Sequence, residues 1–322
     1  MNKKLLRRLR WFDHGAPIMR LTLERRGQGD LFPDAADYYA CPCCLVAYPR
    51  EAVQVGKLTE EHVPPKRLGG SALLLTCFDC NSYSGMTFDA HAITRSHADN
   101  FVRDFVDNKA NDQVLPVTFS VDGIPVRGEV RLTEGNVQLF GVEAKNDRRV
   151  MDAQIEAIKA HYGNESSVVD LSFTVHTDFD EARARISWIR SAYLAAFAAF
   201  GWTYVLVDEM RPYRSQLQQP DVEVVPTYVA RDTSASPTSR RILLVTSPDE
   251  LQCVAVTMGE HTVFLPSPLR PLACDELTKR LVRRCTPEGQ LRVHLEGKEV
   301  PWPKWPTYLL DPHPEDLKSI GS

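Results

Sequence analysis

Residues 41–89 read CPCCLVAYPREAVQVGKLTEEHVPPKRLGGSALLLTCFDCNSYSGMTFD. Two Cys-x-x-Cys pairs bracket this stretch, Cys41 with Cys44 and Cys77 with Cys80. A structural zinc ion takes four soft ligands in a tetrahedron, and each such turn presents two thiolates to one ion. Duplicated pairs in a chain without a disulfide pattern therefore point to metal. Cys43 lies between two of these ligands and is an alternative to either.

The interval between the pairs is long enough to carry structure of its own. Residues 57–63 read as a short strand, Pro64-Pro65 stops it, and Gly69-Gly70 turns the chain. Residues 73–76 are a second apolar strand, and a helix follows Cys77 to about Phe88. A unit this small buries too little apolar surface to hold itself, so zinc would clamp the helix start to the first Cys pair.

Three features together, Cys-Pro-x-Cys, then Glu61-His62-Val-Pro-Pro-Lys-x-Leu-Gly-Gly, then Leu-Thr-Cys-x-x-Cys-Asn81-Ser, resemble the HNH endonucleases. That resemblance covers about fifty residues and implies a zinc-bound, treble-clef-like ββα-metal core. It assigns His62 as general base toward water attacking a DNA phosphodiester, a task suited to imidazole at neutral pH. It assigns Glu61 and Asn81 to one catalytic divalent ion, Mg²⁺ or Mn²⁺, and Cys41, Cys44, Cys77 and Cys80 to structural zinc. The family's middle Asn has no counterpart in residues 70–73, where Ser71 is the candidate substitute. Asp89, about 80° from Asn81 around a helix, is a possible auxiliary carboxylate. On an ideal strand Glu61 and His62 point to opposite faces, so a bend at Pro64 or a bulge must bring both to one cleft.

The residues also admit plainer readings. His62 fits a packed strand histidine or a contributor to the zinc shell, and Asn81 fits a helix cap. The alternative function is a non-catalytic zinc module that binds nucleic acid or a protein partner.

The rest of the chain is ordinary in composition. Its 322 residues are 43% hydrophobic and 25% charged, with a formal net charge of −4, so attraction to nucleic acid must come from local patches. Lys3, Lys4, Arg7, Arg8 and Arg10 interleave with Leu5, Leu6 and Leu9, either a basic arm or a surface helix docked by its leucines. Residues 13–40 carry few regular-structure signals. Cys253, Cys274 and Cys285 follow no pattern, which argues against a disulfide framework and for a reducing cytoplasm.

Beyond the motif, residues 115–142 read as a three-stranded meander, 147–162 as an amphipathic helix and 168–176 as a strand. A long helix from about Phe179 to Phe200, with Asp178 and Glu181 as its capping box, ends at Gly201 and leads to a strand at 203–207. Its Ala-rich end is too short and too interrupted by arginines to span a membrane, and no membrane association is expected. Arg211 and Arg214 read as loop residues. Strands at 241–246, 253–258, 261–265 and 291–295, a helix at 275–284 and a Pro- and Trp-rich tail complete the chain.

The expected class is α+β: a small zinc-bound ββα-metal module joined to a larger mixed region. Boundaries fall at a basic arm (1–36), the HNH module (37–110), an α+β domain (111–230), a linker or mobile loop (231–241) and a C-terminal mixed region (242–322). The expected function is DNA cleavage, with a homodimer or a regulatory protein partner as control and defence against foreign DNA as the setting, the last by analogy alone.

Overall fold

The computed structural model describes residues 2–31, 37–133, 136–161, 171–226 and 229–314. It is 43% helical and 27% strand. Among the described residues every strand pairing is antiparallel, so the class is α+β.

Helix α1 (Lys3–Arg25) opens the chain. Strands β1 (Tyr39–Ala40) and β2 (Ala47–Tyr48) flank the first Cys pair, and α2 (Glu51–Gln54) leads to β3 (Leu58–Val63) and β4 (Ser71–Cys77). Helix α3 (Phe78–Ser84) continues through a π turn (Gly85–Asp89) into α4 (Ala90–Val106). A four-stranded sheet follows, β5 (Asn111–Val121), β6 (Ile124–Thr133), β7 (Asn136–Gly141) and β8 (Leu171–Val175), in the order β7-β6-β5-β8, with α5 (Arg148–His161) between β7 and β8.

Helices α6 (Glu181–Phe200), α7 (Trp202–Val205) and α8 (Arg211–Gln218) come next. A five-stranded sheet closes the chain, ordered β13-β10-β11-β12-β9: β9 (Val229–Arg231), β10 (Arg240–Ser247), β11 (Cys253–Met258), β12 (His261–Pro266) and β13 (Glu296–Val300), with α9 (Cys274–Val282) before β13.

The chain divides into two compact units. One joins Met1–Ala90 to Ala182–Ser322, and the other is the intervening His91–Glu181. The limits of these units do not coincide with the expected boundaries at 110 and 230. The meander has its own core around Val117, Phe119, Val126 and Val130, whereas α6 is buried along nearly its whole length in the core that holds the Cys pairs.

Several local expectations change for physical reasons. Residues 13–25 are helix despite the internal Pro17, because Trp11, Phe12, Ile18, Met19 and Leu23 all bury on the main core. That burial outweighs the amide hydrogen bond that proline removes. Residues 202–205 are helix rather than strand: Asp311, far along the chain, accepts the amides of Trp202 and Thr203, both at 2.7 Å. Arg211 and Arg214 lie on α8 instead of a loop.

The long helix begins at Glu181, so Asp178 is not its cap. Residues 231–241 connect β9 and β10 of one sheet and link no domains. The last strand falls at 296–300, and within 291–295 Leu291 alone makes an isolated bridge, to Cys285. Of the strand expected at 168–176, residues 168–170 lie outside the described residues. Residues 307–309 run along the end of α6, with the amides of Thr307 and Leu309 donating to Ala198 O and Ala199 O at 2.7 Å.

Candidate functional site

The four thiols of the two Cys-x-x-Cys pairs converge. The sulfurs of Cys41, Cys44, Cys77 and Cys80 all lie within 4.8 Å of one another and form a group that could hold a metal ion. On a zinc tetrahedron with bonds of about 2.3 Å, neighbouring sulfurs lie about 3.8 Å apart. Cys44 Sγ and Cys77 Sγ are 3.8 Å apart.

Local folding explains the convergence. Leu45 takes a left-handed φ of 61°, its amide donates to Cys41 O at 2.8 Å, and the resulting tight turn aims Cys41 and Cys44 the same way. Cys77 ends β4 and caps α3, so the first helical turn carries Cys80 back beside it. Backbone amides of Cys77 and Cys80 donate to Cys41 Sγ at 3.3 Å and Cys77 Sγ at 3.4 Å, which favours anionic sulfur. Tyr193 on α6 donates to Pro42 O at 2.7 Å and Gln218 on α8 to Cys43 O at 3.1 Å, fixing the first turn from outside.

The hairpin β3-β4 and helix α3 stand in the ββα order. The ladder slips between Glu61 and His62: Glu61 faces Leu74, His62 faces Ala72, and Leu73 is the extra residue. A bulge thus falls at the position where strict alternation must break. Asn81 on α3 leans on the same strand, its Nδ2 donating to Thr59 Oγ1 and Glu60 O, both at 3.0 Å. His62 is half-buried, and its imidazole makes no hydrogen bond or ion pair among the described residues. Ser71 is exposed at the start of β4, opposite Val63.

Glu61 does not present an open carboxylate. Its Oε2 accepts from Thr76 Oγ1 at 3.0 Å and from the guanidinium of Arg190 on α6. Arg190 is 2% exposed, Glu61 4% and Asp89 8%, so the three charges sit together out of water. Asp89 accepts from Ser187 Oγ at 2.5 Å and lies 3.9 Å from Arg190 Nη1. Burial works against the charge of Arg190, but Glu61, Cys43 and Asp89 outweigh it and raise its pKa further. Burial pushes the Asp89 carboxyl up to about 6, although Arg190 and Ser187 pull the other way.

This arrangement bears on the two metals differently. The four cysteines fit zinc. The Glu61–Asn81 pair does not fit a hydrated Mg²⁺ or Mn²⁺, because the Arg190 guanidinium already neutralises the buried Glu61 carboxylate. Hard divalent ions keep several waters in their shell, and here Arg190 of α6 occupies one oxygen of the carboxylate.

Sequence reasoning missed Arg190. A single arginine inside the run ISWIRSAYLAAFAAF is the available signal, since a charge with apolar residues on every side of a buried helix needs a buried partner. The expected basic arm also changes. Arg7 makes a bidentate pair with Glu60, at 3.0 and 2.6 Å, so that residue holds the helix to the hairpin.

No protein-family model, curated protein or solved structure matches this chain. Among the described residues no helix is long and apolar enough to cross a membrane.

Proposed function

We propose that the chain is a zinc-stapled, HNH-like module that binds DNA without cutting it, with the Arg190 guanidinium in the seat of the catalytic divalent ion. One observation carries this reading: the buried carboxylate of Glu61 is held by Arg190 and Thr76. Removing either charge would strand the other in the interior, so the pair is a permanent part of the core.

Contact with DNA is supported by the turn that joins β3 to β4. Lys66 and Arg67 are exposed there, four and five residues past His62, and make no ion pair among the described residues. Such groups bind phosphates and release counterions. All eight cysteines are free, which suits the reducing cytoplasm.

The test is a binding and cleavage assay on one plasmid. The zinc-loaded protein should retard DNA and leave supercoiled plasmid intact in Mg²⁺ or Mn²⁺. Lys66→Ala with Arg67→Ala should weaken binding and reduce the slope of log K against log salt by about 2. Unchanged binding by that double variant would remove the assignment.

The half-buried, unpartnered imidazole of His62 favours a second reading, hydrolysis of the DNA backbone with His62 as general base. Cleavage by the wild type that disappears in His62→Ala, at unchanged zinc content, would establish that reading and end the first.

A further inference from the structure

A tetrahedral shell needs four thiols, and a fifth, Cys43, sits in the chain between two of these four. Cys43 is 2% exposed. Cys43 and Cys80 also line one cavity of about 290 Å³, together with Tyr83, Phe88, Arg190 and Gln218. Cys41, Cys44 and Cys77 do not line it. A small neutral molecule in that cavity therefore meets the spare thiol and one member of the shell, and no other sulfur of the cluster.

We propose that Cys43 and Cys80 form an oxidation site at which a hydroperoxide dismantles the zinc shell. This rests on the zinc reading of the cluster. In the first step the Cys43 sulfur attacks one peroxide oxygen, the O–O bond breaks, and the other oxygen leaves as water or alcohol with a proton. Cys43 becomes a sulfenic acid. The Cys80 sulfur, a thiolate when it is a zinc ligand, then attacks the sulfenic sulfur, the S–OH bond breaks, and the departing hydroxide takes a proton from solvent to become water. Two thiols have lost two electrons to the peroxide and a Cys43–Cys80 disulfide has formed.

With Cys80 in the disulfide, only Cys41, Cys44 and Cys77 of the group would remain to hold a zinc ion, and would hold it more weakly. Cys41 is the less suitable partner. It is fully buried away from the cavity, and a bridge within Cys-x-Cys closes a ring too short for ordinary disulfide geometry. Cys44 and Cys77 face each other across the shell.

The experiment treats the full-length zinc protein with stoichiometric hydrogen peroxide beside a chromogenic zinc chelator, followed by peptide mapping of cross-links under non-reducing conditions. Zinc content before treatment is measured first: less than one equivalent overturns the metal reading itself. With zinc present, the proposal expects release of one equivalent and a cross-link between the peptides carrying Cys43 and Cys80. Cys43→Ser should start with one zinc and keep it under the same dose. Release at the wild-type rate from Cys43→Ser, no release from wild type, or a wild-type cross-link confined to Cys41, Cys44 and Cys77 would overturn it. The mapping on wild-type protein decides the matter even where the variant folds poorly.

Discussion

At the scale of single residues, the decisive contact is one guanidinium between two carboxylates. Breaking a buried ion pair from one side costs about 3–5 kcal/mol, so Arg190→Met or Glu61→Gln alone should each destabilise strongly, whereas Glu61→Leu with Arg190→Met should recover much of the loss. Equilibrium denaturation of the three variants checks this. Asp89 adds a pH dependence. Its folded pKa is raised from 3.8 to about 6, so the folded state binds the proton more tightly. Stability from this group is fully present below about pH 4 and is lost as pH rises through 6, by about 3 kcal/mol. Comparing wild type with Asp89→Asn across that window isolates it, and parallel curves would contradict the assignment. The cysteines were legible because spacing encodes them. Arg190 was not, because its partner lies 129 positions away in the sequence.

Elements show where local signals suffice and where they fail. The hairpin, its turn and the following helix follow from Pro64-Pro65, Gly69-Gly70 and the Cys pairs. So did the need for an irregularity near Glu61 and His62, because alternation alone separates them. Gly70 shows how tightly the turn is drawn: a Cβ there would lie 1.5 Å from Pro64 O. Gly70→Ala should therefore displace the turn that carries Lys66 and Arg67, costing about 1–3 kcal/mol. A denaturation midpoint equal to that of wild type would show the turn to be looser. The helices at 13–25 and 202–205 are not legible in local sequence. They depend on burial against the main core and on the distant cap Asp311, and neither leaves a mark in nearby sequence.

For the whole molecule, the second unit is inserted within the chain of the first, an arrangement that composition along the sequence does not mark. Its ends meet: the Asp180 amide donates to His91 Nδ1 at 3.0 Å. Its core is its own. Replacing residues 91–181 with a short flexible linker should leave zinc stoichiometry unchanged, and loss of zinc would show the unit to be needed for the metal centre. The four-cysteine staple and the Arg190 pair both belong to the other unit, where α6 turns a hairpin face that would otherwise open to solvent into core. The most direct test is Mn²⁺ binding to the zinc-loaded protein, counted by electron paramagnetic resonance. If Arg190 holds the cation seat, wild type binds no Mn²⁺ that depends on Glu61. One equivalent of bound Mn²⁺, abolished by Glu61→Gln with zinc retained, would contradict it.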